Sequence, residues 1–97
     1  MTVPTELKRE MGCTVAEFER WLPGATRNAP IESAGSSHRV TVDGGVVEIA
    51  LTPLEPRRIA LMVIPVLAVT FHFSGLDDVQ REAFLRYFDH YTRRGGG

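Results

Sequence analysis

The chain reads as an α+β domain: a short N-terminal helix, a four-stranded antiparallel meander, and a long C-terminal amphipathic helix packed on the sheet. Three observations predict it. Thr14-Val15-Ala16-Glu17 has the form of a helix capping box. Asp43-Gly44-Gly45 sits between two β-branched runs. Leu76 to Arg93 carries apolar residues at helical spacing.

Size and composition agree with that class. A 97-residue chain that is 43% hydrophobic can bury about two-thirds of its unfolded surface around one core. One domain over residues 1–97 is expected, with residues 1–12 frayed or forming a short extra helix and residues 95–97 a flexible glycine tail. A net charge of −1 provides no overall attraction to nucleic acid or anionic lipid. A single cysteine, Cys13, cannot close an internal disulfide, and the first ten residues lack the apolar stretch of a signal peptide, so a cytoplasmic setting is expected. The longest apolar run, Ile59 to Val69, is well short of the roughly 20 residues a membrane helix needs and contains Pro65.

In chain order, Pro4 to Met11 could form a helical turn ended by Gly12. Thr14 then opens the first clear helix, with Val15, Phe18 and Leu22 on one face. Cys13 and Phe18 are spaced to staple its start, and Pro23-Gly24 stops it after about two turns. Ala25 to Ser37 has no period and reads as a loop. His38 to Val42 and Val46 to Thr52 form a hairpin. Val40, Val42, Val47, Ile49 and Leu51 point to the core, while Arg39, Thr41, Val46, Glu48, Ala50 and Thr52 point away. Pro53 to Pro56 breaks the pattern. Arg57 to Val63 and Val66 to Phe73 are the third and fourth strands, turning near Ile64-Pro65, or else one long kinked strand. In the last helix Leu76, Val79, Ala83, Tyr87 and Tyr91, with Phe84 and Phe88 alongside, form the apolar stripe. Asp77 and Asp78 at its start and Arg93 and Arg94 at its end suit the helix dipole.

No motif names a reaction. His38, His72, His90 and Cys13 lack the paired spacings of zinc sites, so no metal or cofactor is assigned. Asp89-His90 are helix neighbours about 100° apart and form no dyad, and no serine or cysteine sits on a nucleophile elbow. No catalytic residue is therefore named, and a non-enzymatic role is preferred. Arg57-Arg58 and Arg93-Arg94 could hold an anion if the fold joined them; otherwise they are solvated charge pairs.

The tail admits two ideas. Arg93 and Arg94 followed by glycines resemble the RGG segments of RNA-binding proteins, which implies binding by charge. Gly96-Gly97 resembles the ends of ubiquitin and the ubiquitin-like sulfur carriers. That resemblance implies a carboxyl terminus open to activation, in families whose tail follows a strand rather than a helix.

The most informative pattern is the run from Arg57 to Phe73, where both alternating sets are apolar. Ile59, Leu61, Val63, Leu67, Val69, Phe71 and Phe73 form one set; Ala60, Met62, Ile64, Val66 and Ala68 form the other. Strands apolar on both faces require cover on both. The expectation is an interaction or accessory domain, a homodimer or a binder of another protein or of a small ligand. The second face would be its contact surface: Met62, Ile64 and Val66, bordered by Glu48, Thr70 and His72.

Overall fold

The computed structural model describes residues 3–94. Five strands and two helices follow in the order β1 (Glu6–Met11), α1 (Val15–Ala25), β2 (Ile31–Ala34), β3 (Ser37–Val42), β4 (Gly45–Ile59), β5 (Met62–Ser74) and α2 (Asp78–Arg94). The strands form one antiparallel sheet in the order β1-β5-β4-β3-β2. The α+β class and the antiparallel sheet are as expected. The strand count is five rather than four.

The capping box forms as read: the Glu17 N–H donates to Thr14 Oγ1 at 3.1 Å, and the Thr14 N–H donates to Glu17 Oε1 at 2.9 Å. The helix it starts is 11 residues long rather than two turns. Pro23 is accommodated in its last turn, and the Thr26 hydroxyl closes the end on the Leu22 carbonyl at 2.9 Å. The α2 start has a second reciprocal cap that the charge reading passed over. The Gln80 N–H donates to Asp77 Oδ1 at 2.8 Å and the Asp77 N–H to Gln80 Oε1 at 2.9 Å.

Residues 6–11 are an edge strand rather than a frayed or helical segment, paired from Glu6↔His72 to Met11↔Leu67. Leu7, Arg9 and Met11 turn toward the helices, and Arg9 meets Asp89 of α2. Its arginine hides the alternation that marks a strand. The segment from Ile31 to Ala34, expected as loop, pairs with β3.

Both helices cover the same sheet face. Phe18, Trp21, Leu22 and Ala25 from α1 join Leu85 and Phe88 from α2, over Val40, Val47, Ile49, Leu51, Leu67, Val69, Phe71 and Phe73 of the sheet. Phe88 is the hub, 5.7 Å from Phe18 and 5.3 Å from Phe71 between ring centroids. The buried face of α2 is rotated from the expected stripe. Leu76, Phe84 and Phe88 face the core as expected, but Val79 and Ala83 are exposed, whereas Leu85, Arg81 and Thr92 are buried. Tyr87 and Tyr91 flank that face, with Arg27 stacked 4.2 Å from the Tyr87 ring centre.

The Asp43-Gly44 turn has positive φ at both residues, 49° and 80°, as a two-residue hairpin needs. At the next residue the constraint is space. A Cβ on Gly45 would lie 2.6 Å from the Ser74 carbonyl oxygen and 2.8 Å from that of Gly75. Gly45→Ala is expected to cost about 1–3 kcal/mol through overpacking against backbone that cannot move aside. A urea titration read by circular dichroism would show it, and an unchanged midpoint would contradict it.

Cys13 is buried at the start of α1, where burial first and the Glu17 carboxylate second push its thiol pKa above the ordinary value of 9.0. It packs, as the staple reading expected. A group whose folded pKa is raised contributes stability that is intact below its unfolded pKa and lost as pH rises toward the folded one. Above about pH 9 the urea midpoint of wild type should therefore fall more steeply than that of Cys13→Ala. Parallel pH profiles would contradict this.

Candidate functional site

The β4–β5 hairpin is longer than the sheet that supports it. Pairing to β1 ends at Met11↔Leu67, and pairing to β3 ends at Ser37↔Ala50, with one further bond from the Leu51 N–H to the Ser36 carbonyl. Beyond these rungs β4 and β5 continue as a two-stranded arm, from Leu54↔Val66 to Ile59↔Met62. The turn is Ala60-Leu61, not Ile64-Pro65 as expected. The stretch from Pro53 to Pro56 bends the strand without ending it. Between Leu54↔Val66 and Arg57↔Ile64, Glu55 and Pro56 together oppose Pro65, a β-bulge in which two prolines fit because, among the described residues, no strand bonds the arm's outer edges.

The arm carries the uncovered apolar surface. Leu61 is 100% exposed, Met62 61%, Val63 55% and Ile59 52%. Its turn is chemically unusual, because Ala60 sits at φ 53° where Asn or Gly would be free of strain. Turn propensity therefore does not account for an Ala-Leu tip. Counting through the bulge, Leu54, Arg57, Ile59, Met62, Ile64 and Val66 share one face of the arm, while Arg58 and Val63 lie on the other.

That first face continues into the open side of the main sheet, and here the sequence reading needs correction. Val66 and Ala68 are half-buried, but further along the open side is polar and floored by small residues. Cross-strand partners align Glu10·Ala68·Thr52, then Lys8·Thr70·Ala50·Ser37·Ala34, then Glu6·His72·Glu48·Arg39·Glu32. The last two rows, from β5 to β2, line a shallow trough of about 600 Å³. His72 is exposed beside Glu6 and Glu48. The expected surface thus divides in two: Met62, Ile64 and Val66 belong to the arm, and Glu48, Thr70 and His72 to the trough. The first helix leaves both uncovered, because it packs on the opposite face beside α2.

A polar chain missed in the sequence lies at the other edge. His38 is 5% exposed; its Nδ1 is 2.6 Å from Ser33 Oγ and its Nε2 is 3.1 Å from Glu19 Oε2. A neutral ring protonated at Nε2 satisfies both contacts: the Ser33 hydroxyl donates to Nδ1 and Nε2–H donates to the carboxylate. The chain fastens α1 to the β2–β3 edge. Parity with Val40 and Val42 was its signal, since it puts His38 on the core face, where a histidine requires partners.

Among the described residues no group of three or more His, Cys, Asp or Glu could hold a metal, and no helix is long and apolar enough to cross a membrane. Arg57 reaches Glu10 at 3.8 Å, while Arg93 is exposed near the end of α2. Gly96 and Gly97 lie outside the described residues. No family model, curated protein or solved structure matches this chain.

Proposed function

We propose that this chain is a non-enzymatic interaction domain that docks through its β4–β5 arm. The observation that carries this reading is the concentration of exposed Ile59, Leu61, Met62 and Val63 at the end of an arm supported by no other strand. An isolated two-stranded ribbon is marginally stable in water, and apolar side chains in such numbers mark contact surfaces. The double substitution Leu61→Ser/Met62→Ser tests it. Because both side chains are exposed, thermal stability should change by no more than about 0.5 kcal/mol, while assembly seen by native mass spectrometry of protein purified from its host is lost. Unchanged assembly would overturn the reading.

A second reading rests on the Ser33–His38–Glu19 chain, whose order of groups is that of a serine activated for acyl transfer. These residues line a cleft with Leu22, Pro23 and Ile31. Ser33 Oγ would attack an ester carbonyl carbon and pass its proton to His38 Nδ1; the proton then leaves with the alcohol, and water releases the acyl group. A fluorophosphonate should label Ser33 in wild type and not in His38→Ala. Absence of labelling in wild type would remove this reading.

A further inference from the structure

We infer that the arm's partner is a second copy of this chain, each copy laying its arm across the open trough of the other. This rests on the docking reading above and names the occupant. Two surfaces of one molecule lack cover, and they match each other.

The first match is charge. On the face that would meet the trough, formed by Leu54, Arg57, Ile59, Met62, Ile64 and Val66, the arm's one charged side chain is Arg57. The trough is lined by Glu32 and Glu48 against Arg39, an excess of one carboxylate. Opposed potentials set the register of an interface and discourage wrong partners.

The second match is shape. The trough is floored by Ala50, Thr70, Ser37 and Ala34, side chains short enough for a ribbon bearing Met62 and Ile59 to approach closely.

The third is spacing. Leu54↔Val66 is the last rung before the bulge. Met62 and Thr70 each lie four residues from Val66 along β5, on opposite sides of it. A two-fold axis through that rung, in the plane between two facing sheets, therefore sets Met62 of one copy over Thr70 of the other. The Leu61 tip then falls near the row holding Glu48 and His72.

The overlap runs from Glu48 to Ala60, about 40 Å at 3.3 Å per residue. At two strands about 4.8 Å apart its footprint is about 400 Å² per copy, the size of a weak, reversible contact. Face packing is also the mode the arm permits. Pro56 and Pro65 supply no N–H, so the arm's edges are poor templates for an added strand. The arm cannot fold back onto its own trough, because it continues the strands that form it.

Two measurements test this. Sedimentation of the full chain should give a dimer, and Met62→Asp should weaken it more than about tenfold by placing a second carboxylate against an acidic trough. At a dilution where both proteins sediment as monomers its thermal transition should match that of wild type, since Met62 is exposed in the single copy. In parallel, mixing Met62→Cys and Thr70→Cys proteins under mild oxidant should give a disulfide-linked heterodimer that neither variant gives alone. A dimer that survives Met62→Asp, or a mixture that fails to cross-link, overturns the proposed packing. A monomeric wild type overturns the second copy as occupant. If Leu61→Ser/Met62→Ser then abolishes a complex with a different protein or with vesicles of anionic lipid, the docking reading stands alone; if it abolishes nothing, both fail.

Discussion

Phe88→Ala should remove about 3–5 kcal/mol of stability, the usual cost of emptying a buried phenylalanine site. In a domain of this length, which typically has 5–15 kcal/mol in total, that loss leaves little. The reason is local. Phe88 is fully buried and touches Phe18 of α1, Phe71 of β5 and Phe84 one turn back on its own helix, with centroids 5.3 to 6.1 Å apart. Its removal breaks the junction between both helices and the sheet, and the rings around it cannot all collapse into one space. Thermal unfolding should shift downward by more than about 12 °C, at roughly 4 °C or more per kcal/mol in domains this small. A shift of a few degrees would show that the three-element junction is not where stability resides.

Arg81→Met should cost about 1.5–3 kcal/mol, the range for hydrogen bonds to a charged donor. Arg81 is buried at 9% exposure. It donates Nε–H to the Val3 carbonyl and a guanidinium N–H to the Leu76 carbonyl, both at 2.7 Å, and it pairs with Asp78. Methionine fills the volume but leaves two carbonyls without this donor. The strand preceding α1 should also loosen, since Val3 is tied to α2 through this side chain. Hydrogen exchange should therefore rise in β1 more than in β3 and β4. Uniform change across the sheet would contradict the tie.

The sequence made some of this plain and hid the rest for physical reasons. The α1 cap, the Asp43-Gly44 turn and the inward set Val40, Val47, Ile49 and Leu51 follow from local chemistry and period, and each stands where expected. Strand β1 was hidden because Arg9 occupies a helix-facing position, with its charge met by Asp89 across 80 residues of sequence. The hairpin turn was misplaced because proline marks turns in most contexts. Here Pro56 and Pro65 meet at a bulge, and the reversal falls on Ala60-Leu61, which has no turn chemistry. The α2 face was misread by a rotation because Tyr87, Tyr91 and Val79 suggested burial, while Arg81 and Thr92 hold buried positions. The docking surface was half legible. Two-sided apolarity in Arg57 to Phe73 showed that something lacked cover, but only the register shows that this cover is missing along an arm outside the helices.

The most direct test of the arm as a docking element is hydrogen exchange along residues 54–66 as a function of protein concentration. As a lone two-stranded ribbon, the arm should exchange fast in dilute protein; with each arm seated on a second copy, its amides should become protected as concentration rises, while β3 remains unchanged. Arm amides that exchange at one fixed rate across the concentration range, in protein that sediments as a monomer throughout, would contradict the account.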